Sequence, residues 1–152
     1  MIYTLHKNFI TQTQRCWILN SAKEHFVDIS GGLLATGSKN ENDEFSKELK
    51  KIISPIIDYT KWKQIRIGLA EYGVGDSCVP HQDESSSHTI ICNLTDDYDG
   101  GEVYLNKKHI PIEIGDVLIF NGNKYVHEVK KIKRGYRASL SVWYEPHKKE
   151  II

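Results

Sequence analysis

Before residue 62 the apolar positions of this chain recur at spacings of three and four; after it they alternate. Residues from about Thr11 to Ile29 read as an amphipathic helix, with Cys16, Leu19, Ala22 and Phe26 on one face and Gly31-Gly32 as its stop. Leu33 to Lys39 is a weak strand or loop. Asn40-Glu41-Asn42-Asp43-Glu44 opens a second helix, its carboxylates suited to a helix N-terminus. Phe45, Leu49, Ile52 and Ile53 form that helix's buried stripe, and Pro55 ends it.

The alternating part begins with Gln64 to Ala70, which puts Ile65, Ile67 and Leu69 on one face. Tyr72 precedes the turn Gly73-Val74-Gly75-Asp76, and an extended stretch through Pro80-His81-Gln82-Asp83 follows. His88 to Leu94 sets Thr89, Ile91 and Asn93 against Ile90, Cys92 and Leu94 on the opposite face. Asp96 to Gly101 reads as a turn. A hairpin pairs Glu102–Leu105 with His109–Ile114 around Asn106-Lys107-Lys108. Val117-Leu118-Ile119-Phe120 is a short apolar strand, the next strand carries His127, and Tyr136 to Tyr144 is the last.

Two helices followed by about seven or eight short strands predict a mostly β fold with flanking helices. The expected architecture is a double-stranded β-helix (jelly-roll) core with two N-terminal helices packed on one outer face. One domain is expected over 1–152, with helical support over about 1–60 and the jelly-roll core over about 62–145.

Charge narrows the partners. Lys plus Arg and Asp plus Glu number 20 each, so no global field recruits nucleic acid or an anionic membrane. No stretch approaches the roughly 20 apolar residues of a membrane span. Three cysteines, Cys16, Cys78 and Cys92, lack paired spacing, and Met1 to Lys7 carries no secretory pattern, so a cytoplasmic location is expected.

The candidate chemistry starts at His81-x-Asp83. Two residues apart on extended chain, an imidazole and a carboxylate point to the same side. His127, from a separate strand, would complete a two-histidine, one-carboxylate set that leaves three cis positions of an octahedral ion open, as in non-haem Fe(II) sites. Arg137 lies ten residues beyond His127. On the last strand it shares a face with Ser139, Ser141 and Trp143, while Ala138, Leu140, Val142 and Tyr144 share the other. A cation, two hydroxyls and an aromatic ring are an unusual set to bury without a ligand. An arginine there would take the far carboxylate of a 2-oxoacid through its planar fork.

The segment from about Ile65 to Tyr144 resembles the prolyl-hydroxylase branch of the Fe(II)/2-oxoglutarate-dependent dioxygenases. The matching positions are Tyr72 nine residues before His81, His81-x-Asp83, Gly100-Gly101-Glu102, Pro111, Gly115 before Phe120, His127 and Arg137. The chain departs from that pattern at Cys78, Asn93, Val103 and Leu105. The resemblance implies Fe(II) held by His81, Asp83 and His127. It also implies 2-oxoglutarate and O2 as co-substrates, with ascorbate as an optional reductant. Arg137, Tyr72 and Ser141 would contact 2-oxoglutarate, with Ser139 and Asn93 in the same pocket. Trp143 would face the substrate, a prolyl residue in a protein or peptide. A free amino acid or other small molecule is the alternative substrate, and a cupin-like metal-binding module the alternative class.

Overall fold

The computed structural model describes residues 2–25, 34–36 and 43–148. In chain order the elements are β1 (Tyr3–His6), α1 (Gln12–His25), β2 (Leu34–Thr36), α2 (Glu44–Ile53) and β3 (Trp62–Tyr72). Then come β4 (Cys78–His81), β5 (His88–Asn93), β6 (Tyr98–Gly100), β7 (Val103–Leu105) and β8 (Lys108–Ile110). The last four are β9 (Val117–Phe120), β10 (His127–Val129), β11 (Ile132–Gly135) and β12 (Arg137–Pro146). No helix among the described residues is long and apolar enough to cross a membrane.

Both helices start on side chains that satisfy their first backbone donors. At α1 the Thr11 hydroxyl accepts from Gln14 N–H at 3.1 Å while Gln14 Oε1 accepts from Thr11 N–H at 2.9 Å, a reciprocal capping box. At α2 an Asp43 carboxylate oxygen accepts from Ser46 N–H at 2.7 Å. The chain leaves α2 through a 3-10 turn, Ser54–Ile56, that contains Pro55.

Every strand pairing among the described residues is antiparallel. A six-stranded sheet runs β1-β9-β5-β12-β3-β2, a four-stranded sheet runs β4-β10-β7-β8, and β11 pairs with β6 alone. Alternation along β5 and β12 decides what each face of the large sheet meets. One face carries Ile90, Cys92, Ala138, Leu140, Val142 and Tyr144, which share a core with Ile18, Ala22, Phe45, Leu49 and Ile53 of the helices. From the opposite face Leu118 and Phe120 join Val103, Leu105 and Ile110 of the small sheet in a second core. The first edge of the large sheet is fastened by Asp116. Its buried carboxylate accepts from Lys7 Nζ at 2.6 Å, Asn8 N–H at 2.7 Å and Glu113 N–H at 2.8 Å, tying β1 to the start of β9.

The expected elements are recovered with local corrections. On α1 the buried positions are Ile18 and Ala22, while Cys16 is exposed. Trp17 stacks on Phe45 at 5.4 Å, and that large contact turns the helix away from the smaller cysteine. Phe26, Ile29 and Gly31-Gly32 lie outside the described residues, as do Leu33, residues 37–39 of the weak strand and residues 40–42 of the second helix's opening. Ile65 is only half-buried. Trp143 faces Arg66 and Tyr144 faces Gln64, so Ile65 is the extra residue of a β-bulge and drops out of alternation with Ile67. The stretch Asp96–Gly101 is not all turn, because Tyr98–Gly100 pairs with β11.

Leu140 is fully buried at the centre of the large sheet. Leu140→Ala is expected to cost about 3 kcal/mol of unfolding free energy, measured by urea denaturation. A loss below about 1 kcal/mol would mean that this face packs more loosely than the structure shows.

Candidate active site

His81 and His127 are direct cross-strand partners at the ends of β4 and β10, their ring centroids 4.2 Å apart. From there to the pair Val129–Cys78, two steps on β10 match three on β4, so a bulge adjoins the site. Asp83 lies two residues past His81, beyond the strand. Its N–H donates to the Gly122 carbonyl at 2.7 Å, and its own carbonyl accepts from Asn123 Nδ2 at 3.2 Å.

The Asp83 carboxylate is buried and shared between two sets of partners. Oδ2 accepts from the Thr89 hydroxyl at 2.9 Å; Thr89 Oγ1 is in turn 2.9 Å from Ser86 Oγ. Oδ1 lies 3.1 Å from His127 Nε2 and 3.4 Å from His81 Nε2. Both histidines face a backbone carbonyl with Nδ1, His81 to Val79 at 2.8 Å and His127 to Tyr125 at 2.9 Å. Each Nδ1 therefore carries the proton, and in the neutral rings each Nε2 presents a lone pair toward the same carboxylate.

Two nitrogen lone pairs and an anionic oxygen repel one another unless a cation sits among them. The ligand atoms of the three residues all lie within 4.8 Å of one another. Bonds of about 2.1 Å to cis positions of an octahedral ion require neighbouring ligand atoms about 3 Å apart. The two His–Asp separations match that requirement, and the donor set of two nitrogens and one oxygen suits Fe(II).

Titration of the site reflects the same crowding. The Asp83 carboxylate, helped by Cys78, pushes His81 up to about 10. Burial works to raise the carboxyl of Asp83, but hydrogen bonds from His127, His81 and Thr89 outweigh it and hold the group well below the usual carboxylate range. In the metal-free protein a proton on His81 thus takes the place of the cation.

Glycine at 122 is a steric requirement. A Cβ there would lie 2.1 Å from Asp83 Oδ2 and 2.4 Å from Thr89 Oγ1. Thr89 and Gly122 adjoin the Asp83 carboxylate and Ser86 reaches it through Thr89, contacts that single-residue reasoning passes over. Ser86 is the middle residue of the run Ser85-Ser86-Ser87, and the structure buries it completely beneath Thr89.

The second half of the site lies in the same cavity. Arg137, at the start of β12, faces Tyr72 at the end of β3, with its guanidinium carbon 5.0 Å from the ring centroid. Arg137 is 1% exposed and has no carboxylate partner among the described residues. Its Nη1 approaches Ser139 Oγ at 3.4 Å, and its buried Nε finds no acceptor among the described residues. Burial pushes the Tyr72 phenol up to about 12, so it remains a hydrogen-bond donor at neutral pH. Gly101 leaves room for this arginine, since a Cβ there would lie 3.1 Å from Arg137 Cδ.

A cavity of about 130 Å³ between the two sheets joins His81, Asp83 and His127 to Arg137 and Tyr72. Ser139, Ser141 and Trp143 also line it. Asn93 does not; it is buried opposite Ser139, with Nδ2 donating to Tyr98 Oη at 3.3 Å and Oδ1 unpartnered among the described residues.

A model of the 2OG-Fe(II) oxygenase superfamily matches residues 67–145, just over half of the chain. The chain belongs to that superfamily. Its Fe(II), 2-oxoglutarate and O2 chemistry fits the His-Asp-His set found here. A PKHD-type hydroxylase of Prochlorococcus marinus is 33% identical over 69 residues, which are 43% of this chain and 31% of that protein. The chain thus spans about a third of the curated relative that it matches. Among solved structures, a 2OG-Fe(II) oxygenase family protein from Burkholderia pseudomallei superposes with a TM-score of 0.72 at 12% identity, over 95% of this chain and 85% of that one. A viral collagen prolyl hydroxylase from Paramecium Bursaria Chlorella virus-1 gives 0.70 at 16% identity, over 98% and 97%. At such identities these two likenesses establish the fold alone.

Gly122→Ala is expected to weaken Fe(II) binding by at least tenfold, by displacing the Asp83 carboxylate, with an unchanged far-ultraviolet circular dichroism spectrum. Calorimetric titration with wild-type affinity would sink this account. Metal uptake should also release a proton. The charge on His81 stabilises the metal-free fold fully below about pH 6.5, and that contribution is lost as the pH rises toward the folded value of about 10. At pH 8 the heat of metal binding is therefore expected to vary with the buffer's ionisation enthalpy. Equal heats in phosphate and Tris would show that His81 is already neutral.

Proposed function

We propose that the protein is an Fe(II)- and 2-oxoglutarate-dependent dioxygenase that hydroxylates a prolyl residue in a protein or peptide, with succinate and CO2 as co-products. The observation that carries this reading is one cavity with the His81, Asp83 and His127 ligand atoms at one place and a buried arginine lacking a carboxylate partner at another. A metal-binding module that is not an oxygenase has no use for the second feature.

In this reading His81, Asp83 and His127 hold the iron on one side. Thr89 and Ser86 orient the carboxylate, and the Val79 and Tyr125 carbonyls fix both imidazole tautomers. Arg137 pairs with the distal carboxylate of 2-oxoglutarate through its fork, supplying the anion that a buried guanidinium needs. Tyr72 donates its phenolic hydrogen, and Ser139 and Ser141 add hydroxyls along the same wall. Asn93 supports the pocket from beside Ser139. Bound iron and 2-oxoglutarate supply the oxidising power for O2-dependent hydroxylation. The protein's part is to orient both and to exclude water from the apolar walls formed by Leu105, Leu118 and Phe120.

The prolyl assignment draws support from the fold shared with the viral collagen prolyl hydroxylase, from the hydroxylase relative, and from Trp143 in the cavity wall. The two facing sheets suit a double-stranded β-helix of about 62–145, backed by the helical support of about 1–60 as one domain over 1–152. A cytoplasmic location accords with the free Cys16, Cys78 and Cys92.

The test is an anaerobic titration of Fe(II) and 2-oxoglutarate into the metal-free protein, following the visible metal-to-ligand charge-transfer absorption. A band that disappears in His127→Ala and weakens in Arg137→Ala is expected. Iron binding without any band would leave the metal-binding module as the better reading.

A further inference from the structure

Four residues stand in register across the large sheet: Phe120 on β9 faces Thr89 on β5, Thr89 faces Trp143 on β12, and Trp143 faces Arg66 on β3; the first three line the cavity, and Arg66 stacks on Trp143 beside it. Thr89 is the residue whose hydroxyl holds the Asp83 carboxylate. The row therefore leads from the metal ligands through the Trp143 ring to Arg66.

Arg66 is an unusual residue to find there. Its guanidinium carbon lies 4.1 Å from the Trp143 ring centroid, a stacked arrangement that covers one face of the cation. It is half-buried, and its buried Nε has no acceptor among the described residues. Nor does it make an ion pair among them. Arg134, by contrast, is spread over two carboxylates, Asp97 at 2.9 Å and Asp99 at 2.7 Å. The bulge at Ile65 turns Gln64 to the Tyr144 side and leaves Arg66 opposite Trp143. Bulges commonly re-aim a side chain beside an active site.

A guanidinium stacked by its face keeps the N–H groups of its edge free, and those match the planar oxygens of a carboxylate. Arg66 stands two strand spacings from Thr89, about 10 Å along the sheet, and an extended arginine side chain shortens that span. Arg137 and Tyr72 lie at the other end of the same two strands, so a 2-oxoglutarate held there leaves Arg66 for a different anion.

We propose that Arg66 is a specificity-determining residue that reads a carboxylate of the substrate, whose neighbouring carbon skeleton lies against Trp143. This rests on the oxygenase reading above. The carboxylate belongs either to a free amino acid or to an acidic residue next to the prolyl residue of a peptide. The chemistry is the same in both cases, and matched probes separate them.

The experiment uses anaerobic protein loaded with Fe(II) and 2-oxoglutarate and measures probe affinity by calorimetry. The probes form two pairs differing in one charge: L-proline against L-prolinamide, and N-acetyl-Ala-Pro-Asp-amide against N-acetyl-Ala-Pro-Asn-amide. The carboxylate member of one pair is expected to bind at least tenfold more tightly than its amide partner. That preference should vanish in Arg66→Gln and survive in part in Arg66→Lys. The pair that discriminates identifies the source of the carboxylate. Failure of both pairs to discriminate, or discrimination that persists in Arg66→Gln, would overturn the proposal. The charge-transfer band is recorded on the same samples. Its absence from the wild type counts against the oxygenase reading itself, whereas its loss in Arg66→Gln alone would assign Arg66 to the co-substrate and overturn the proposal.

Discussion

The site depends on a single carboxylate oxygen that two imidazoles approach at once. Asp83 Oδ1 receives both Nε2 atoms, and the remaining contacts around them serve to keep that convergence in place. The backbone carbonyls of Val79 and Tyr125 hold the rings, Thr89 turns the carboxylate, and Gly122 leaves the space it occupies. Three electron-rich atoms so arranged are stable only around a positive charge. The protein thus stores its affinity for a cation as local electrostatic tension, which a proton relieves weakly and a divalent ion relieves well.

Around this point the two sheets divide the work. The small sheet contributes both histidines through adjacent strands, while the large sheet contributes the supporting threonine and the buried Arg137. The other face of the large sheet is filled by helix side chains such as Ile18 and Leu49. The register Arg137–Tyr72, Ser139–Ala70, Ser141–Gly68, Trp143–Arg66 makes β3 and β12 a ruler along which polar groups sit at fixed distances from the metal ligands.

Much of this was legible in the sequence where side-chain period alone decides the answer. The division of residues 88–94 into Thr89, Ile91 and Asn93 against Ile90, Cys92 and Leu94, and of β12 into Arg137, Ser139, Ser141 and Trp143 against the apolar set, follows from alternation. The triad was legible because its residue types are chemically conspicuous. What escaped depends on distant partners. Strands β1, β6 and β11 are only three or four residues long and pair with segments far away or interrupted by a bulge, so no local period marks them. The bulge at Ile65 breaks an alternation that otherwise reads cleanly, and on α1 Ile18 rather than Cys16 is buried beside Ala22, with Trp17 stacked on Phe45. Ser86 and Gly122 have no chemical signature of their own; Gly122 matters through its closeness to Asp83, and Ser86 through its bond to Thr89.

The fastening of β1 has a consequence for how the chain acquires its structure. Lys7 and Asp116 are 109 residues apart, and among the described residues β1 has only β9 for a neighbour in the sheet. Closing so long a loop is entropically expensive before the intervening strands have been brought together. During synthesis β1 therefore waits, unpaired, until more than a hundred further residues have been made. Its docking belongs to the late steps of folding, and an apolar edge along β9 stays open to other chains until it is complete.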